Sequence, residues 1–104
     1  MKKGEVWWAN LPPPVGRRPV VLLSRDAAYS VRNAVTVAEI TSTIRNIPVE
    51  VSLDQSDGLP KKCVINLDTI ITIPKTHLDT LITTLDQSKI KQINEGIKFA
   101  LDLL

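Results

Sequence analysis

The stretch Leu81-Ile82-Thr83-Thr84-Leu85-Asp86-Gln87-Ser88-Lys89-Ile90-Lys91-Gln92-Ile93-Asn94-Glu95-Gly96-Ile97-Lys98-Phe99-Ala100-Leu101-Asp102-Leu103-Leu104 changes its hydrophobic period part-way along, and that change decides the fold class. Leu81 to Leu85 reads as a short β segment. Beyond it Ile90, Ile93, Ile97, Ala100, Leu101 and Leu104 recur at three- and four-residue steps, so they line one side of a helix running from about Gln87 to the C-terminus. Asp86 is its expected N-cap, and Lys89, Lys91 and Lys98 lie off the apolar stripe.

Working back from that helix, the chain is a series of short β segments. Glu5 to Leu11 places Val6 and Trp8 on one side and Trp7 and Ala9 on the other, and Pro12, Pro13 and Pro14 end it because proline brings no N–H to a ladder. Pro19 to Leu23 is a continuous apolar run of buried-strand type. A helical turn is expected at Arg25 to Tyr29, opened by Ser24 as N-cap. Val35 to Ile40 and Val49 to Leu53 resume the β pattern, and the turn Ser56-Asp57-Gly58 leads to Cys63 to Asn66. Asp68 to Ile73 follows, then a helical turn at Lys75 to Leu78. The expected architecture is mainly β with helices (α+β): five to seven short strands in a strongly bent antiparallel sheet or small barrel, with a C-terminal amphipathic helix. With no internal repeat or linker, residues 1–104 read as a single domain.

Composition excludes several classes. The 43% apolar content of 104 residues, carried by 12 Leu, 11 Ile and 10 Val, suits one modest core. No run of about 18 apolar residues exists to cross a bilayer, and no apolar segment follows Met1-Lys2-Lys3, so a cytoplasmic protein without membrane contact is expected. One cysteine (Cys63) and one histidine (His77) support neither a disulfide nor a tetrahedral zinc site, so no metal or other cofactor is expected. The net charge of +2 is small but uneven: residues 1 to 33 carry six basic groups against two acids, and four of the six are arginines between positions 17 and 32. That distribution suits bidentate contacts to phosphate.

Several side chains stand where chemistry could occur. Pro19 stiffens the backbone behind Arg18 at the mouth of a buried strand, holding a guanidinium at a rim. Ile40-Thr41-Ser42-Thr43 ends another strand in hydroxyls able to donate to a phosphate oxygen. Asp68 interrupts an apolar stretch and Glu39 sits between Ala38 and Ile40, so each needs solvent or a partner, an arginine being the natural one. Trp7 and Trp8 offer stacking surfaces, at least one of them belonging to the core. His77 has no second imidazole to work with, and Cys63 has no neighbouring base in sequence to activate it.

Taken in order, Lys3-Gly4-Glu5-Val6-Trp7, Arg18-Pro19-Val20-Val21 with Leu23-Ser24, Val37-Ala38-Glu39-Ile40-Thr41-Ser42, the Leu53 to Asp57 turn, Asp68-Thr69-Ile70-Ile71-Thr72-Ile73 and the terminal helix resemble the MazF/PemK family of toxin ribonucleases from bacterial type II toxin–antitoxin pairs. The resemblance spans nearly the whole chain. It implies an SH3-like barrel, a homodimer, metal-free cleavage of single-stranded RNA, and inhibition by a cognate antitoxin laid across the RNA groove. By position it implies catalytic roles for Arg18 and Thr41 and, as an acid that some members use as a base, Asp68. Arg17, Arg25, Ser42, Thr43, Trp8 and Asn66 are the RNA-binding candidates. Asn66 falls where certain members carry an acid-acting Arg, and the first loop, Pro12 to Arg17, is shorter than usual. The chemistry implied is attack of the ribose 2′-OH on its own phosphate, giving a 2′,3′-cyclic phosphate and a 5′-OH, with Asp68 or Glu39 accepting the proton. Two other readings stand beside it: a CcdB-like toxin that binds DNA gyrase without catalysis, and an inactive RNA- or antitoxin-binding relic.

Overall fold

The computed structural model describes residues 1–104. Six strands, β1 (Glu5–Asn10), β2 (Arg17–Leu22), β3 (Ala34–Thr41), β4 (Glu50–Leu53), β5 (Cys63–Pro74) and β6 (Leu78–Thr84), form one sheet in the order β4-β5-β3-β2-β1-β6. Every pairing in it is antiparallel. The sheet curls until its two ends approach: the Thr83 hydroxyl on edge strand β6 donates to the Asp57 carbonyl, just beyond edge strand β4, at 3.0 Å. Two helices, α1 (Ala28–Val31) and α2 (Gln87–Ala100), complete the chain. This half-barrel with a C-terminal helix is the architecture expected from the period change.

Alternation along the strands divides the apolar residues between two cores. Val6, Val21, Ala38, Ile40, Val51, Leu53 and Ile65 meet Ile93 of α2 on one face, with Ile97 and Ala100 packed against them. Ala9, Val20, Leu22, Val35, Val37 and Ile73 form the second core with Tyr29 of α1, and Trp7 packs against it. Asp86 caps α2 as expected, its carboxylate accepting from the Lys89 N–H at 3.0 Å.

Four local expectations need correction. Ser24 does not cap a helix: α1 begins at Ala28 with Ala27 in the N-cap position, and the Ser24 hydroxyl instead accepts from the Thr36 N–H at 2.9 Å, tying the loop to β3. The segments 63–66 and 68–73 are one strand. Opposite β3 its register jumps from Ile70 (beside Ala38) to Asn66 (beside Glu39), so Leu67, Asp68 and Thr69 form a bulge without partners in β3, Leu67 turned into the core and Asp68 exposed. The last β segment is Leu78–Thr84 rather than 81–85, because it starts directly after the 3-10 turn Lys75–His77. The terminal helix stops at Ala100. Asp102 takes a left-handed conformation (φ 56), and the N–H groups of Asp102 and Leu103 fold back onto the carbonyls of Phe99 and Lys98, a Schellman ending that leaves Leu101 and Leu104 exposed.

Candidate functional site

The site lies where β2 begins and β3 ends. Val20 pairs with Glu39 and Val21 with Ala38, and that register carried two residues further sets Arg18 across from Thr41. Alternation then sends Arg18, Glu39 and Thr41 to one face and Arg17, Pro19, Ile40 and Ser42 to the other. Two hollows result, one on each side of the strand ends, and Arg18 and Thr41 line both.

The first hollow, about 250 Å³, is mixed in character, with Trp8, Pro19, Leu59 and Pro60 beside Arg17, Lys61 and Ser42. The Arg17 guanidinium lies over the Trp8 ring, 4.4 Å from its centroid, and its Nη2 donates to Asp79 at 2.9 Å. That bond holds the Asp79 carboxyl below the usual carboxylate range. Cys63 forms part of the floor, and burial, helped by the Asp57 charge, pushes its thiol up, so it stays protonated and is a poor nucleophile.

The second hollow, about 260 Å³, has no apolar lining: Arg18, Glu39, Thr41, Thr43, Arg45, Asn66 and Thr69 form it. Arg18 Nη1 donates to Glu39 Oε1 at 3.3 Å, the arginine side chain being 35% exposed and the carboxylate 15%. Thr41 Oγ1 accepts from the Thr43 N–H at 3.2 Å, which leaves its own O–H to donate outward. Asn66 is buried opposite Glu39, and its Oδ1 accepts from the Asp68 N–H at 2.9 Å, so its NH₂ is the group left for a ligand.

Of the catalytic and RNA-binding candidates that the resemblance names, Arg17, Arg18, Trp8, Thr41, Ser42, Thr43 and Asn66 thus come together around one rim, where Glu39 joins them. Two of those candidates do not. Asp68 sits exposed on the β5 bulge, lines neither hollow and has no arginine partner; Glu39 holds that partnership because it shares β2's register with Arg18. Arg25 follows the far end of β2, a strand's length from Arg18, and lines neither hollow. Lys61 and Arg45, which no sequence pattern picked out, each reach the rim from a loop. The Lys61-Lys62 pair after a turn is the one signal that could have found the first, and nothing local marks the second. His77, with an unpartnered Nδ1, is outside both hollows. No three His, Cys, Asp or Glu side chains gather as metal ligands.

The model of the PemK-like, MazF-like toxins of type II toxin–antitoxin systems matches residues 2–101. The chain is 37% identical over 101 residues to a Mycobacterium tuberculosis protein named probable endoribonuclease MazF5, covering 96% of this chain and 92% of that one. It is 35% identical over 111 residues to endoribonuclease MazF of Staphylococcus saprophyticus, covering 99% and 92%. Among solved structures, the Mycobacterium tuberculosis toxin MazF-mt6 superposes with a TM-score of 0.89 at 34% identity, over 96% of this chain and 98% of that one. A mycobacterial endoribonuclease in complex with its cognate antitoxin superposes with a TM-score of 0.88 at 27% identity, over 100% and 97%.

Proposed function

Because the chain belongs to the PemK-like, MazF-like toxins of type II toxin–antitoxin systems, we propose that it is an endoribonuclease that cuts single-stranded RNA by 2′-OH attack. It works as a homodimer and is silenced by a cognate antitoxin. One observation supports this most: Arg18 and Thr41 line both hollows, with a carboxylate bonded to Arg18.

The roles follow from the chemistry of the groups. As the 2′-oxygen bonds to phosphorus and the bond from phosphorus to the 5′-oxygen breaks, the phosphoryl group carries an added negative charge. Arg18 stabilises it with its planar, positively charged guanidinium. Thr41 donates its free O–H to a phosphate oxygen. Glu39, the carboxylate inside the polar hollow, accepts the 2′-proton in place of Asp68. The departing 5′-oxygen takes a proton from water. Trp8 with Arg17 over its ring offers a flat, cationic platform for a neighbouring base.

The test is incubation with a long single-stranded RNA in the presence of EDTA. Fragments with 2′,3′-cyclic phosphate and 5′-OH ends are expected, and a single 2′-deoxy substitution at a mapped cut site should abolish cutting there. Continued cutting of that deoxy substrate would refute the mechanism.

A further inference from the structure

The polar hollow holds a second guanidinium that the roles above do not use. Arg45, in the loop between β3 and β4, lines it with Arg18, Glu39 and Thr41. It takes part in none of the four ion pairs of the molecule. The carboxylate nearest in sequence, Glu50, is committed to the backbone: Oε1 accepts from the N–H groups of Asn46 at 2.8 Å and Arg45 at 3.0 Å, and Oε2 from Arg45 at 3.2 Å. Those bonds secure a loop in which Asn46 is left-handed (φ 58), so the point from which the Arg45 side chain projects is set while its charge stays unpaired.

With two arginines and one carboxylate, the hollow carries a net positive charge and no apolar wall. Its volume, about 260 Å³, lies just below that of sites enclosing a whole small ligand and suits a piece of a polymer, such as a phosphate with its sugar. Arg18 is meanwhile held by Glu39. An anion arriving there meets one partly compensated guanidinium and one uncompensated one.

We infer that the polar hollow takes the scissile phosphate between two guanidinium groups, Arg18 from the start of β2 and Arg45 from the β3–β4 loop, with Arg45 bonded to a non-bridging phosphate oxygen. The inference rests on the ribonuclease reading above. When Glu39 accepts the 2′-proton its charge disappears, Arg18 is released to the phosphate, and both arginines face the added negative charge.

The experiment compares wild type, Arg45→Ala and Arg45→Lys, first on an RNA with a mapped cut site, then in binding to the same oligonucleotide carrying 2′-deoxyribose at that site, across a salt series. Arg45 is exposed, so the variants are expected to fold, which their thermal melts check. Arg45→Ala should lose roughly 10²-fold in kcat, and the slope of log affinity against log salt should flatten by about 0.7, the value of one lost contact to a single strand. Arg45→Lys should regain the slope and only part of kcat, since it keeps the charge without the bidentate fork. Wild-type cutting together with an Arg45→Ala variant matching it in both slope and kcat would overturn this inference alone. A wild-type protein that cuts no RNA would overturn both it and the reading beneath it.

Discussion

Glu39 and Asp68 illustrate how much a single position depends on its strand partner. Both interrupt apolar stretches, and by residue type alone either could serve as the proton acceptor. Register separates them: Glu39 is aligned with β2 and bonds Arg18, whereas Asp68 is extruded on a bulge closed by its own N–H to Asn66 and by the Thr69 hydroxyl to the Asn66 carbonyl. Glu39→Gln should therefore lower kcat by roughly 10²-fold or more, as loss of a general base does. Asp68→Asn should stay within a few-fold of wild type. Rate measurements on both variants across pH check the assignment, and the reverse order would return the role to Asp68. Arg18→Ala should fold and lose about 10²–10³-fold in turnover, as removal of a charge-stabilising donor does.

At the scale of elements, Leu59, Pro60 and Lys61 of the loop from Asp54 to Lys61 line the first hollow, and bonds within the loop hold it. Asp54 and Asp57 exchange a capping box around the 3-10 turn Gln55–Asp57, and the Gln55 side-chain amide donates to the Pro60 carbonyl at 3.2 Å. Gly58 then turns the chain at φ 94, where an added Cβ would collide with the Thr83 hydroxyl oxygen and stand 2.7 Å from the Thr83 Cβ. Gly58→Ala should cost about 2 kcal/mol in urea unfolding, from left-handed strain plus that collision. It should also weaken RNA binding, because Leu59, Pro60 and Lys61 move with the turn. Another element shows itself through pH. The Tyr29 hydroxyl of α1 donates to the Ser24 carbonyl at 2.9 Å, and burial, with Asp26 and Glu5 nearby, pushes it up to about 12 from 10.0. The folded state therefore holds this proton more tightly than the unfolded chain does. Its contribution is fully present below pH 10 and is lost as pH rises toward 12. Tyr29→Phe should remove that part of the alkaline decline, read as urea midpoints against pH.

For the molecule as a whole, a net charge of +2 conceals a rim that gathers Arg17, Arg18, Arg45 and Lys61 around two adjoining hollows. Four cations contributed by one strand start and two loops stand together on this rim although no window of the chain is strongly basic. Binding to a single-stranded RNA with the scissile 2′-OH removed should consequently fall steeply with salt. A log–log slope of about −2 to −3 is expected for three or four phosphate contacts, or at least about tenfold between 50 and 200 mM. A flat salt profile in fluorescence anisotropy would show that the rim does not grip the backbone. No helix is long and apolar enough to cross a membrane.

By itself the sequence determined what local interactions govern. A two-residue alternation marked the strands, a three-to-four-residue recurrence and Asp86 marked α2, Gly58 marked the turn, and the Arg18-Pro19 and Ile40-Thr41 stretches marked strand ends bearing polar groups. Only tertiary structure decided which carboxylate meets Arg18, that Arg25 stands apart, and that Lys61 and Arg45 join the rim. Those outcomes follow from strand register and loop closure, in which residues 20 or more positions apart are aligned by the burial of two apolar faces. A one-residue slip would turn every side chain to the opposite face, and no local preference records which alignment buries the most.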